Sequence, residues 1–201
     1  MGCLATLTPE QFADGCGEVV KHAVIADPEL FAELEKTPLT LELLNRDVAR
    51  VALIIARNID IKRAVVVADE RETNQRKLLN FGHSAGHAVE ACEHFELGHG
   101  NCVSIGMGII TRAAALHGIC DAELPGRIEE LCARHGLKTR CELSADTVFA
   151  EALHDKKRAG DTIDLVIPHG IGRCSIDRTP LSTFHDLIAE GLGQKGDASA
   201  C

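Results

Sequence analysis

Between residues 39 and 63 the chain contains neither glycine nor proline. Leu43, Leu44, Val48, Val51, Ala52 and Ile55 recur there at the spacing of one helical face. The stretch reads as one long helix. Residues 64–68, Ala-Val-Val-Val-Ala, are strand-like by propensity but short and continuous with it, so they read as its continuation. A helix of this length must bury its apolar stripe against other elements.

Most of the remaining chain offers helices as partners. Thr8 and Pro9 form a helix start, with Gln11 in the first turn. Residues 14–25 follow, and Asp27-Pro28-Glu29 opens another helix that Pro38 ends. Further helices are predicted over 83–90, 103–117, 121–135 and 180–192, with one capped by Ser144 and reaching about 154. Residues 162–168 alternate and are bounded by turn residues, so they read as a strand. Residues 169–172 make the turn and 173–176 return. The predicted fold is mainly α, multihelical, with one small β-hairpin near residues 162–176. Residues 1–192 form the domain and 193–201 a flexible tail.

Aromatic residues are 3% of the chain, with no Trp and no Tyr, so the core must come from Leu, Ile, Val and Ala. A net charge of −9 without any Lys/Arg-rich run argues against a nucleic-acid partner. No apolar run approaches membrane-spanning length. The nine cysteines contain no C-x-x-C pair and follow no signal peptide. They read as reduced thiols of a cytoplasmic protein, most of them filling apolar space.

Chemistry concentrates in three places. Glu18, Lys21 and His22 share a helical face through i, i+3 and i, i+4 spacing. His83 and His87 lie one turn apart on another helix, and His99 follows in a Gly-His-Gly connection. Glu18, His83 and His99 together supply one carboxylate and two imidazoles from separate segments. That is the donor set of catalytic zinc sites that keep a fourth position open. Lys21, Lys62, Arg76, Asn80, His87 and Lys157 flank these ligands, and such a concentration in an acidic chain suits an anionic substrate.

Five motifs carry a resemblance. They are Gly-x-Gly-Glu-Val-Val-Lys-His (15–22), Asp-Glu-x-Glu-x-x-x-Arg (69–76) and Leu-Asn-Phe-Gly-His-Ser-x-Gly-His-Ala-x-Glu (79–90). His-Gly-x-x-Val-Ser-Ile-Gly-Met (99–107) and Asp-Lys-Lys (155–157) follow. In this order they resemble the 3-dehydroquinate synthases. The resemblance implies zinc, or cobalt in its place, on Glu18, His83 and His99. It implies catalytic roles for Lys21 and His87, and substrate binding by Lys62, Arg76, Asn80 and Lys157. The implied substrate is the sugar phosphate 3-deoxy-D-arabino-heptulosonate 7-phosphate. The implied reaction is a transient NAD-dependent oxidation, phosphate elimination, re-reduction, ring opening and aldol closure to 3-dehydroquinate. Asn101 departs from the family's Glu, and Asn74 from its Gly.

Family members carry a nucleotide-binding α/β domain before the first motif, and no G-x-G-x-x-G precedes Glu18 here. The expectation is the C-terminal, metal-binding half alone, without turnover unless an NAD-binding domain is supplied in cis or in trans. Apolar surface left by that domain favours a homodimer. The alternatives are another sugar phosphate cyclase, making an inosose or a valiolone, and a non-catalytic metal-binding or assembly fragment. Metal-dependent polyol dehydrogenases share the broad architecture but fit the 79–84 stretch less well.

Overall fold

The computed structural model describes residues 2–71, 75–154 and 160–194. Among these, nine α-helices and one antiparallel hairpin form the domain: α1 (Pro9–Ala26), α2 (Pro28–Lys36), α3 (Leu41–Arg46), α4 (Val48–Ala68), α5 (His83–Cys92), α6 (His99–Leu116), α7 (Leu124–Arg134), α8 (Ala145–Ala152), β1 (Thr162–Gly170), β2 (Arg173–Pro180) and α9 (Leu181–Gly191). The mainly α fold with one hairpin is as the sequence predicts. Short 3₁₀ segments cover Gly2–Thr6 and Gln75–Asn80. No helix among the described residues is long and apolar enough to cross a membrane.

The centre of the domain is α6. Residues from Gly100 to Ala114 on it are almost all buried, and it packs against α1, α5, α7 and α9. A helix that is apolar on every side belongs in a core. Around it the buried set is chiefly Leu, Ile, Val and Ala, with Phe12, Phe31, Phe81 and Phe184 as its large plugs.

Glycine lets α1, α5 and α6 meet through their backbones. A Cβ on Gly100 would lie 1.8 Å from the carbonyl oxygen of Asp14 on α1. A Cβ on Gly106 would lie 1.9 Å from the carbonyl oxygen of Gly82, at the start of α5. No side chain larger than hydrogen fits at either contact.

The long helix expected over 39–63 is two helices. The chain breaks at Asp47, whose side chain accepts from the Arg50 N–H and so caps α4. Hydrophobic periodicity runs through this corner without registering it. Residues 64–68 do continue α4. The helix expected from 103 instead begins at His99, so this histidine opens α6 and is not in a free connection.

In the hairpin, Val166 pairs with Ile176 and Thr162 with Pro180. Gly172 takes a left-handed φ of +76° at its tip, and its N–H donates to Val24 O at 2.7 Å. This pins the tip to α1. Gln194, expected in the tail, accepts from the Ala145 N–H and donates to Leu143 O.

Candidate metal centre and substrate pocket

Helix α1 presents Glu18, Lys21 and His22 on one face, as their spacing requires. Lys21 is 2% exposed, and its Nζ lies 2.7 Å from Glu18 Oε2. Burial lowers the Lys21 pKa, and the Glu18 carboxylate only partly opposes this. Burial alone would raise the Glu18 pKa, but the charge and hydrogen bond of Lys21, with smaller contributions from His83 and His22, hold the carboxyl below its ordinary value. The pair spends one carboxylate oxygen. The other, Oε1, is buried and accepts no hydrogen bond among the described residues.

That oxygen faces α5, at 3.6 Å from His83 Nε2. His83 Nδ1 lies 3.1 Å from Phe81 O. A carbonyl only accepts, so Nδ1 carries the proton and Nε2 offers its lone pair toward Glu18. Burial, then the charge of Lys21, pushes the His83 pKa down to about 4, which keeps the ring neutral and able to ligate. His99 is held in the same way: its Nδ1 lies 3.3 Å from Glu90 Oε2, leaving Nε2 as the donor atom. Such outer partners fix the tautomer and aim of metal-ligating histidines.

The rings of His83 and His99 are 5.3 Å apart between centroids, and His87 stands 5.1 Å from His83 and 5.6 Å from His99. One ligating atom from each histidine can be chosen so that all three lie within 4.8 Å of one another. Among the described residues the three histidines thus form one candidate donor set, and Glu18 adjoins it through His83 Nε2. A buried carboxylate oxygen without a hydrogen bond, facing an imidazole lone pair, is a donor arrangement that a divalent cation would complete.

Beside this cluster lies an open pocket of about 250 Å³, lined by Glu18, Lys21, His22, Lys62, Arg76, Leu79, Asn80 and His83. Lys62 comes from α4, while Arg76 and Asn80 come from the 3₁₀ segment Gln75–Asn80. That segment is tethered to its surroundings, and Arg76 Nη1 also donates to Glu70 O at 3.0 Å. The Arg76 N–H donates to Asp69 at 3.1 Å, and Lys77 pairs with Asp164 of β1 at 2.6 Å. Six of the residues singled out in the sequence thus share one cavity, and His87 and His99 adjoin it through the histidine cluster. Lys157 and Asn74 lie outside the described residues.

Two contributors were missed. Buried His22 lines the pocket with its Nδ1 on Asn58 Oδ1 at 3.1 Å. Its i, i+4 relation to Glu18 was visible, but nothing in the spacing gave it a role. Glu90 holds His99 from within the 79–90 motif, and only the folded geometry reveals that contact.

Fold and site together define a multihelical domain whose histidine cluster adjoins a cation-lined pocket. In architecture it is similar to the 2-epi-5-epi-valiolone synthase of Streptomyces hygroscopicus subsp. jinggangensis 5008, solved with NAD+ and Zn2+ bound. The TM-score is 0.82 at 24% identity, covering 95% of this chain and 52% of that one. It is also similar to a 2-deoxy-scyllo-inosose synthase complexed with carbaglucose-6-phosphate, NAD+ and Co2+, with a TM-score of 0.74 at 20% identity over 94% of this chain and 53% of that one. The chain belongs to the 3-dehydroquinate synthase family, whose C-terminal domain model matches residues 15–158. It is 37% identical over 187 residues to the 3-dehydroquinate synthase of Streptococcus suis (strain 05ZYH33), covering 92% of this chain and 52% of that protein. It is 38% identical over 199 residues to the Acetivibrio thermocellus enzyme, covering 96% and 53%. The chain spans about half the length of the curated relatives it matches.

Proposed function

We propose that residues 1–192 form the metal- and substrate-binding half of a cytoplasmic 3-dehydroquinate synthase of the shikimate pathway. The reaction is conversion of 3-deoxy-D-arabino-heptulosonate 7-phosphate to 3-dehydroquinate and phosphate. Glu18, His83 and His99 would hold zinc, or cobalt in its place. The observation that carries this reading is the buried Glu18 Oε1, which accepts no hydrogen bond among the described residues and faces the lone pair of His83 Nε2.

When bound, the metal supplies Lewis acidity at a substrate hydroxyl, and NAD supplies a reversible hydride acceptor. The chain's own residues do the rest. Lys21, buried and held against Glu18, presents its ammonium protons to the oxygen at the reacting centre. Its lowered pKa makes proton exchange there less costly. Lys62, Arg76 and Asn80 reach the pocket from outside the metal cluster and bind the carboxylate, hydroxyls and phosphate. Lys157 joins them from the 155–157 motif. His87, more exposed than His83 and beside it, meets the departing phosphate and exchanges a proton with it.

The NAD-binding half would be supplied in cis or in trans, and the assembled enzyme would be a homodimer. The chain alone is then a binding module without turnover. Product analysis on this chain joined to the N-terminal half of a relative tests the reading. Formation of 3-dehydroquinate supports it. An inosose or valiolone would favour the cyclases whose architecture it shares, and conversion by the 201-residue chain alone would overturn the half-site view.

A further inference from the structure

We propose that Asp14 is a positioning residue for His99, acting from α1 as the cap that α6 cannot supply for itself. The inference rests on the metal-binding reading above and adds a residue to it. Helix α6 begins at His99, its first helical residue, behind Gly98, which has no side chain to accept from the first-turn N–H groups. Asp14 fills that role across the helix interface. Its Oδ1 accepts from the Asn101 backbone N–H at 3.1 Å and lies 3.4 Å from Asn101 Nδ2. A carboxylate at this end of α6 also meets the positive end of the helix dipole.

His99 is confined on both sides by the same residue. A Cβ on Gly98 would lie 2.3 Å from Asp14 Oδ1, and one on Gly100 would lie 1.8 Å from Asp14 O. The backbone of His99 is thus seated on Asp14, while its ring is turned by Glu90 through Nδ1. Two carboxylates divide the task. Asp14 fixes where the residue starts, and Glu90 fixes where Nε2 points.

Asn101 completes the latch. Its Oδ1 accepts from the Lys138 N–H at 2.9 Å, so its amide nitrogen is the atom left for Asp14. An amide suits this place because it accepts on one side and donates on the other. A carboxylate at 101 would face Asp14 with no proton between them.

Zinc affinity, measured by competition with a chromophoric chelator, tests this on the whole chain. Asp14→Ala is expected to bind zinc about tenfold to a hundredfold more weakly, the usual effect of losing an outer-sphere partner. Asp14→Asn, whose amide oxygen still accepts from the Asn101 N–H, stays near wild type. Asn101→Asp weakens binding as Asp14→Ala does, because it sets a second carboxylate against Asp14 Oδ1. Ala150→Gly, exposed in α8 and outside the Asp14–Asn101–Lys138 contacts, lowers the melting temperature without moving affinity. Unchanged affinity in Asp14→Ala, or in Asn101→Asp, overturns the inference. Absence of zinc binding by the wild type overturns the metal reading itself and this inference with it.

Discussion

Glu18 Oε1 lies 3.6 Å from His83 Nε2, each the unoccupied donor atom of a residue whose other donor is already engaged. Lys21 holds the second oxygen of Glu18, and Phe81 O holds the second nitrogen of His83. The first prediction follows from this pairing. Elemental analysis should find about one zinc per chain. Glu18→Ala, His83→Ala and His99→Ala should each lose it, and His87→Ala should keep it. Retention by Glu18→Ala with loss in His87→Ala would assign the metal to the three histidines instead.

Acid should weaken the metal-free fold before its carboxylates titrate. His83 is pushed down to about 4, and burial also lowers His135, whose Nε2 accepts from the Leu39 N–H and whose Nδ1 donates to Leu131 O. Both pKa values are lower in the folded chain than the unfolded value near 6.5, so the unfolded chain binds more protons between them. For His83 stability is then complete above about pH 6.5 and declines as pH falls toward 4, by up to about 1.4 kcal/mol per pH, and His135 adds a decline of the same sign. Thermal melts of the metal-free chain across this range check it. His135→Phe should lower the plateau by about 1–3 kcal/mol, through the orphaned Leu39 N–H, and flatten part of the slope.

The glycine contacts predict opposite signs at different positions. Gly106→Ala puts a Cβ against Gly82 O, and Gly100→Ala puts one against Asp14 O, so each should cost at least about 3 kcal/mol or prevent folding. Gly126, inside α7, has nothing within 4 Å of its added Cβ. Gly126→Ala should therefore stabilise the chain by about 0.5–1 kcal/mol, read by chemical denaturation.

Lys77 and Asp164 should matter more to ligand than to stability. Their 2.6 Å pair joins the segment bearing Arg76 and Asn80 to β1, and both side chains are about a third exposed, at 30% and 34%. Solvent screening limits the stability change on Asp164→Ala to about 1 kcal/mol or less. Inorganic phosphate should nonetheless bind severalfold more weakly, while zinc content stays unchanged. Calorimetric titration with phosphate distinguishes these outcomes.

Legibility followed the range of the signal. Thr8, Asp27 and Ser144 mark helix starts with their own side chains, and all three caps are present. The corner at Asp47 escaped because aspartate there is both a tolerable helix residue and a cap, and the apolar period continues across it. The start of α6 escaped for the opposite reason. Its cap, Asp14, is 87 positions away in sequence from Asn101, so nothing local announces it. The candidate ligands Glu18, His83 and His99 were readable from their motifs, whereas the contacts of Glu90 with His99 and of Asp14 with Asn101 are recognisable only once the helices are packed.

The backbone contacts at Gly100 and Gly106 divide the pocket into a fixed wall and an exchangeable one. Glu18, His83 and His99 ride on three helices that cannot slide past one another, because peptide groups already touch. Lys62, Arg76 and Asn80 hang from the outer helix α4 and a 3₁₀ segment moored by side chains. On the proposed reading, substitution at the moorings would retune which ligand is gripped while the candidate metal donors keep their places. A scaffold built this way lets a lineage change its substrate without reinventing its chemistry.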